Sequence, residues 1–186
     1  MKKDLKAFRH QCQQYPIMAD EALDLIISYL KPDDKILEIG TCVGYSSIYL
    51  ASHVDVSITT IERDAQRASL ARQNIEGYKN ITLLEVDALE VSMDGIFDVI
   101  IFDAAKAQNK TFLAKFIKNL RHDGLIFVDN VHFHGFVENP DLVKDRKNLY
   151  RMVLKMKSFV DEMLNSDFEV TIHDVGDGLM IIKNPS

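Results

Sequence analysis

Short runs of apolar and β-branched residues punctuate the chain at 35–39, 56–61, 81–86, 97–102 and 125–128. Nearly continuous hydrophobicity over so few residues is the pattern of strands buried on both faces of a parallel sheet. Between the runs, segments 46–53, 64–76 and 110–120 read as helices, and 20–30 predicts another ahead of the first strand. This β-α-β-α alternation predicts a doubly wound α/β domain. Beyond residue 128 the rhythm changes. A loop over 131–142, holding Gly135 and Pro140, leads into an amphipathic helix predicted for 144–164. Leu149, Met152, Met156, Val160 and Met163 recur at intervals of three and four and form its buried face. Two further strands, 168–173 and 179–182, are joined through Gly176-Asp177-Gly178 and predict a C-terminal antiparallel hairpin. The expected core is a mostly parallel sheet of seven strands with helices on both faces. No repeat, low-complexity tract or linker interrupts it, so residues 1–186 read as one domain.

Composition narrows the class. Hydrophobic residues make up 47% of the 186 and charged residues 27%, ordinary proportions for a globular chain. Cys12 and Cys42 have no metal-site spacing and form no disulfide framework. No run approaches the roughly 18 apolar residues that span a bilayer, and the polar N-terminus lacks an apolar signal core. A soluble, reduced, cytoplasmic protein without a membrane partner is expected. A net charge of −6 argues against indiscriminate nucleic-acid binding and leaves room for a local basic patch.

The first predicted strand runs into Glu38-Ile39-Gly40-Thr41-Cys42-Val43-Gly44-Tyr45-Ser46-Ser47, which opens a helix. Gly40 and Gly44 allow a sharp turn and a close backbone approach to a ligand. Their spacing is not the G-x-G-x-x-G of dinucleotide folds. An E-x-G-x-x-x-G turn instead leaves room for the amino-acid portion and sulfonium of S-adenosylmethionine. Ser46, near the helix start, is placed to hydrogen-bond that ligand's carboxylate. The plain alternative is a strand-to-helix turn with a capping serine. Glu62 ends the second strand, where an acid accepts hydrogen bonds from ribose hydroxyls, and Asp87 with Ala88 ends the third, where adenine would lie.

Farther along, the fourth strand ends in Asp103 and the fifth in Asp129-Asn130. Adjacent carboxylates repel unless a cation or a shared proton intervenes. Two carboxylates and an amide are hard oxygen donors that suit Mg²⁺, with positions left for water or substrate. Two unrelated strand-end aspartates are the alternative. Lys106, three residues after Asp103, is a candidate base for a substrate hydroxyl, or else a solvated helix-start lysine.

Together, E-I-G-x-x-x-G-Y-S-S, D-A-A-K-A-Q, D-N-V and V-G-D-G-L resemble the cation-dependent O-methyltransferases related to catechol and caffeoyl-CoA methyltransferases. Within that group the chain looks most like the bacterial tRNA 5-hydroxyuridine methyltransferases, over about residues 15–183. The resemblance implies a Rossmann-like class I methyltransferase fold, with S-adenosylmethionine and Mg²⁺ as cofactors. It implies Asp103, Asp129 and Asn130 as metal ligands and Lys106, with Asp103, as catalytic residues. Met18, Ser46, Glu62, Asp87, Ala88 and Asp103 fall where that branch contacts S-adenosylmethionine. Relatives carry about one more N-terminal helix, which helps cover the cofactor and form a dimer; the segment here is shorter, and a homodimer stays open.

The implied acceptor is the wobble uridine of a tRNA anticodon loop, or alternatively a catechol-like small molecule. Residues 144–157 hold six basic side chains against Asp145 alone. On a helix Lys144, Lys147, Arg151 and Lys155 would form one stripe able to meet RNA phosphates, or a merely solvated face. His132, Phe133, His134 and Phe136 follow Asn130, where a base could stack.

Overall fold

The computed structural model describes residues 3–184. Seven strands form one sheet: β1 (Lys35–Ile39), β2 (Ser57–Ile61), β3 (Ile81–Leu84), β4 (Phe97–Phe102), β5 (Leu120–Asp129), β6 (Glu169–His173) and β7 (Leu179–Lys183). Their order is β3-β2-β1-β4-β5-β7-β6. The first five run parallel, while β7 lies antiparallel to both β5 and β6. The hairpin therefore inserts its second strand against β5 and leaves its first at the edge.

Strand alternation divides the core into two layers. On β4, Ile100 and Phe102 join the layer built with Phe112, Phe116, Met156 and Phe159. Val99 and Ile101 join the opposite layer with Leu23, Ile26, Tyr45 and Ile48. The helices are α1 (Leu5–Cys12), α2 (Asp20–Tyr29), α3 (Tyr45–His53), α4 (Ala65–Asn74), α5 (Asn109–Phe116) and α6 (Lys147–Leu164). Asp64 caps α4 by accepting hydrogen bonds from the backbone N–H groups of Gln66 and Arg67. No helix among the described residues is long and apolar enough to cross a membrane.

The elements depart most from the hydrophobic pattern at four places, besides β3 and α4, which stop two residues early at Leu84 and Asn74. Helix α1 escapes the pattern because only Phe8 and Cys12 of its residues are buried. Strand β5 begins at Leu120 instead of 125. Its pairing with β4 shifts register between Phe97 and Val99, and the polar run Arg121-His122-Asp123 masks that irregular half. Helix α5 ends at Phe116 and passes into a 3₁₀ turn, Ile117–Asn119, short of residue 120.

The long helix starts at Lys147. Residues Pro140–Val143 form a separate 3₁₀ turn, and Arg146 is non-helical at φ −101°, ψ 79°. Lys144 therefore leaves the predicted basic stripe, which keeps Lys147, Arg151 and Lys155. The buried face of α6 is Val153, Met156, Phe159, Val160 and Met163, while Leu149 and Met152, expected on it, are only half-buried.

Candidate active site

The C-terminal ends of β1 to β5 open onto a cavity of about 610 Å³. In open α/β sheets this edge is where ligands bind, at the point where strand order reverses, here between β1 and β4. Gly40 leaves β1 with φ +107°, and its α-carbon lies against the backbone of Asp103. A Cβ there would overlap the Asp103 carbonyl, so glycine brings the two strand ends together.

Glu62 is buried at the end of β2. Its Oε2 accepts the Cys42 N–H at 2.8 Å and its Oε1 accepts the Asp64 N–H at 2.9 Å. The acid thus pins the Gly40–Gly44 turn to the neighbouring strand, and each oxygen keeps acceptor capacity. The Cys42 thiol is pushed up to about 11 by burial, which excludes it as a ready nucleophile. Asp87 accepts the Leu89 N–H at 2.8 Å and pairs with Arg63 at 3.1 Å. The backbone bond, then Arg63, hold its carboxyl below the usual range against the opposing effect of burial.

The chemical end lies across β4 and β5. Phe102 pairs with Val128 in parallel register, so Asp103 and Asp129 leave the sheet side by side. Asp129 is 2% exposed. Burial first, and the Asp103 charge second, raise its carboxyl to about 7. Lys106 Nζ lies 2.6 Å from Asp103 Oδ1, an ion pair whose side chains are both largely buried. Asn130 follows at φ +60° and also lines the cavity. Among the described residues no three His, Cys, Asp or Glu side chains gather as a metal cluster. The donor set is two carboxylates and one amide, all oxygens, and it fits a hard divalent cation with several positions left open.

Glu62, Asp87, Ala88, Asp103, Lys106, Asp129, Asn130 and Gly40 line this one cavity. Met18, Gly44 and Ser46 do not. Met18 is buried in the core, although its neighbours Ile17 and Ala19 reach the cavity. Gly44 caps α3 in a left-handed conformation. Ser46, expected to face a ligand carboxylate, turns its hydroxyl inward to Glu38. Glu38 is fully buried and also accepts the hydroxyls of Ser47 and Thr60. Burial raises its carboxyl while those three donors pull it down.

Several lining residues carry little signal in sequence. Arg63, Arg67 and Phe112 reach the cavity from helical or loop positions. Asp177 does so because Leu179 pairs with Asp129, which brings the start of β7 to the site. It accepts the His134 N–H at 2.7 Å. The V-G-D-G-L turn at residues 175–179 is the available clue. Phe133 and His134 line the same rim.

A mostly parallel sheet closed by an antiparallel pair, with its ligand edge built this way, is the class I methyltransferase architecture. Solved methyltransferases share it: one from Podospora anserina, bound to S-adenosylhomocysteine, aligns with 99% of this chain and 89% of its own at a TM-score of 0.83. Its 21% identity is a likeness of fold alone. The sequence model of the O-methyltransferase family matches residues 3–184, and the chain belongs to that family. The match takes in α1, ahead of the residue-15 start of the recognisable motifs. A Staphylococcus aureus structure, provisionally named a caffeoyl-CoA O-methyltransferase, is 34% identical, with a TM-score of 0.90 over 98% of this chain and 93% of that one. A catechol O-methyltransferase of Mycobacterium tuberculosis is 31% identical over 130 residues, 63% of this chain and 59% of that protein's length.

Proposed function

We propose that this protein transfers a methyl group from S-adenosylmethionine to the 5-hydroxyl of 5-hydroxyuridine at the wobble position of tRNA, giving 5-methoxyuridine. The observation that carries the chemistry is the pair Asp103–Asp129, adjacent at the ends of β4 and β5, with the Asp129 carboxyl raised to about 7. Two acids so placed favour a cation between them, and Asn130 completes an oxygen set for Mg²⁺. A cation held there by Asp103, Asp129 and Asn130 would acidify an acceptor hydroxyl and neutralise charge.

The chain's own contribution is position and proton handling. Glu62 would offer acceptor oxygens to the ribose, and Gly40 would let the loop backbone approach the donor. Lys106 Nζ, 2.6 Å from Asp103, would take the hydroxyl proton in its neutral form, having first given up its own proton to solvent. In-line transfer then depends on donor and acceptor being fixed together. A 5-hydroxyuridine places its hydroxyl beside the 4-carbonyl, so both oxygens suit one metal. An anticodon base is also single-stranded and reachable without unpairing a duplex. The exposed Lys147, Arg151 and Lys155 on α6 supply charge for phosphates.

Incubation with S-adenosylmethionine, Mg²⁺ and tRNA bearing 5-hydroxyuridine, read by nucleoside mass spectrometry, tests the reading. The absence of 5-methoxyuridine from an enzyme that binds the donor would sink it. A second reading, a catechol-like phenol as acceptor, is favoured by the identity to the Mycobacterium tuberculosis catechol O-methyltransferase. Turnover of phenols without tRNA modification would select it.

A further inference from the structure

Between α1 and α2 the chain runs as a strap, residues 13–19, with neither helix nor strand. Pro16, Ile17 and Ala19 line the active-site cavity, while Met18 between them is buried in the core. A segment with no ladder of its own is held by the contacts it makes with its neighbours. Several of those contacts converge on one side chain of α1.

Arg9 Nη1 donates to the Met18 carbonyl at 3.2 Å and to Asp20 Oδ1 at 2.7 Å. The Tyr45 hydroxyl donates to the same Asp20 oxygen at 2.7 Å. The Arg9 guanidinium also lies over the Tyr45 ring, 5.3 Å from its centroid. Burial, then the bond to Asp20, pushes the Tyr45 hydroxyl up to about 12, so it stays a donor at neutral pH. Tyr45 opens α3, directly after the Gly40–Gly44 turn. One cation thus ties the strap to the start of α2 and, through Asp20, to the helix that follows that turn. At its far end the strap bears on the loop before β7: a Cβ on Gly176 would stand 3.0 Å from that of Ala19. The Asp103–Lys106 pair shares no bond with this set.

We infer that Arg9 is a positioning residue for the methyl donor, latching residues 16–19 as a wall of the cavity that holds S-adenosylmethionine. The inference rests on that placement of the donor and is independent of which acceptor is methylated. Without the guanidinium the strap keeps its Met18 anchor in the core but loses the tie at the Met18 carbonyl. A bound donor then escapes faster. The reacting groups stay where they are, so a loosened wall changes donor retention and not the chemical step.

The test is calorimetry and stopped-flow release of S-adenosylmethionine on the whole chain, with thermal melts showing that each variant is folded. Arg9→Ala should weaken donor binding about tenfold, chiefly through faster release. Its kcat at saturating donor should stay within about twofold of wild type. Arg9→Lys keeps a charge for Asp20 without the planar stack on Tyr45, and should fall between the two. Tyr45→Phe keeps the ring and removes the hydroxyl; it should weaken the donor by a smaller factor. In an Asp20→Ala background, Arg9→Ala should cost less than it does alone.

Unchanged donor affinity in folded Arg9→Ala and Tyr45→Phe overturns the inference, as does a fall in kcat as large as the fall in affinity. Glu62→Ala separates this from the placement of the donor. If that variant binds S-adenosylmethionine as the wild type does, the donor lies elsewhere and the latch has no such role. If it binds weakly while Arg9→Ala binds normally, the placement stands and Arg9 alone is removed.

Discussion

Gly40 lies so close to Asp103 that the turn leaving β1 and the end of β4 share one van der Waals boundary. The Gly40–Gly44 turn and the acidic pair are consequently held by the same contact. Gly40→Ala would place a methyl group on the Asp103 carbonyl at a backbone angle of +107°. A loss of about 2–4 kcal/mol of stability is expected. Titration calorimetry should find S-adenosylmethionine affinity reduced at least tenfold in the protein that remains folded. Wild-type affinity in this variant would show that the approach is not needed.

The Asp129 carboxyl is raised by burial and by Asp103, so its neutral form is the one the metal-free fold prefers. Its contribution to stability is fully present below the ordinary value of 3.8 and is lost as pH rises through about 7. Without a divalent cation, thermal stability should therefore decline over that window. Mg²⁺ should restore it at and above pH 7, where the acid is ionised and free to bind, and its apparent affinity should fall on acidification. Asp129→Asn should flatten both pH dependences. Differential scanning fluorimetry across pH, with Mg²⁺ or with a chelator, measures them.

Lys106 is joined to Asp103 at 2.6 Å and faces the cavity. Replacing it with Ala should lower kcat by about 10²–10⁴-fold, the usual worth of a positioned proton carrier. The KM for S-adenosylmethionine should stay within a few-fold, because the Glu62 side of the site is untouched. Steady-state kinetics on the accepted substrate separate the two parameters. A variant with undiminished kcat would remove Lys106 from the chemistry.

Glu38 gathers the hydroxyls of Ser46, Ser47 and Thr60, and Thr60 is in turn 2.6 Å from the hydroxyl of Thr41. Glu38→Ala would strand these donors inside the core. A destabilisation of about 3 kcal/mol is expected, read as a lowered urea midpoint. A near-wild-type melt would mean that the hydroxyls find other partners.

Much of this site could be seen in the bare sequence because strands buried on both faces leave little ambiguity about where they end. Glu62, Asp103 and Asp129 each follow an apolar run directly, and parallel pairing then puts them at one edge. Ser46 was legible as a helix-start residue but not in its orientation. Nothing local distinguishes a hydroxyl that faces a ligand from one that serves Glu38, eight residues earlier. Lys144 was misplaced for a local reason: a basic run looks helical, while the non-helical backbone at Arg146 breaks it from α6. Asp177 depends on β7 pairing with β5 across some fifty residues, a register that no window of sequence contains.

That pairing also partitions the molecule. Because β7 runs backwards, the turn that precedes it, and not one that follows it, meets the cavity. The half of the cavity proposed for the methyl donor is written in the first three strands and their loops. The rim proposed to face the acceptor is written near both ends of a later stretch, at Phe133–His134 and at Asp177, which touch through the His134 N–H. Two short loops that brace one another can be exchanged as a unit while the sheet beneath them stays as it is. On the proposed reading acceptor choice would be the replaceable module of this fold, and a change of substrate would be grafted at the 131–138 and 174–178 loops.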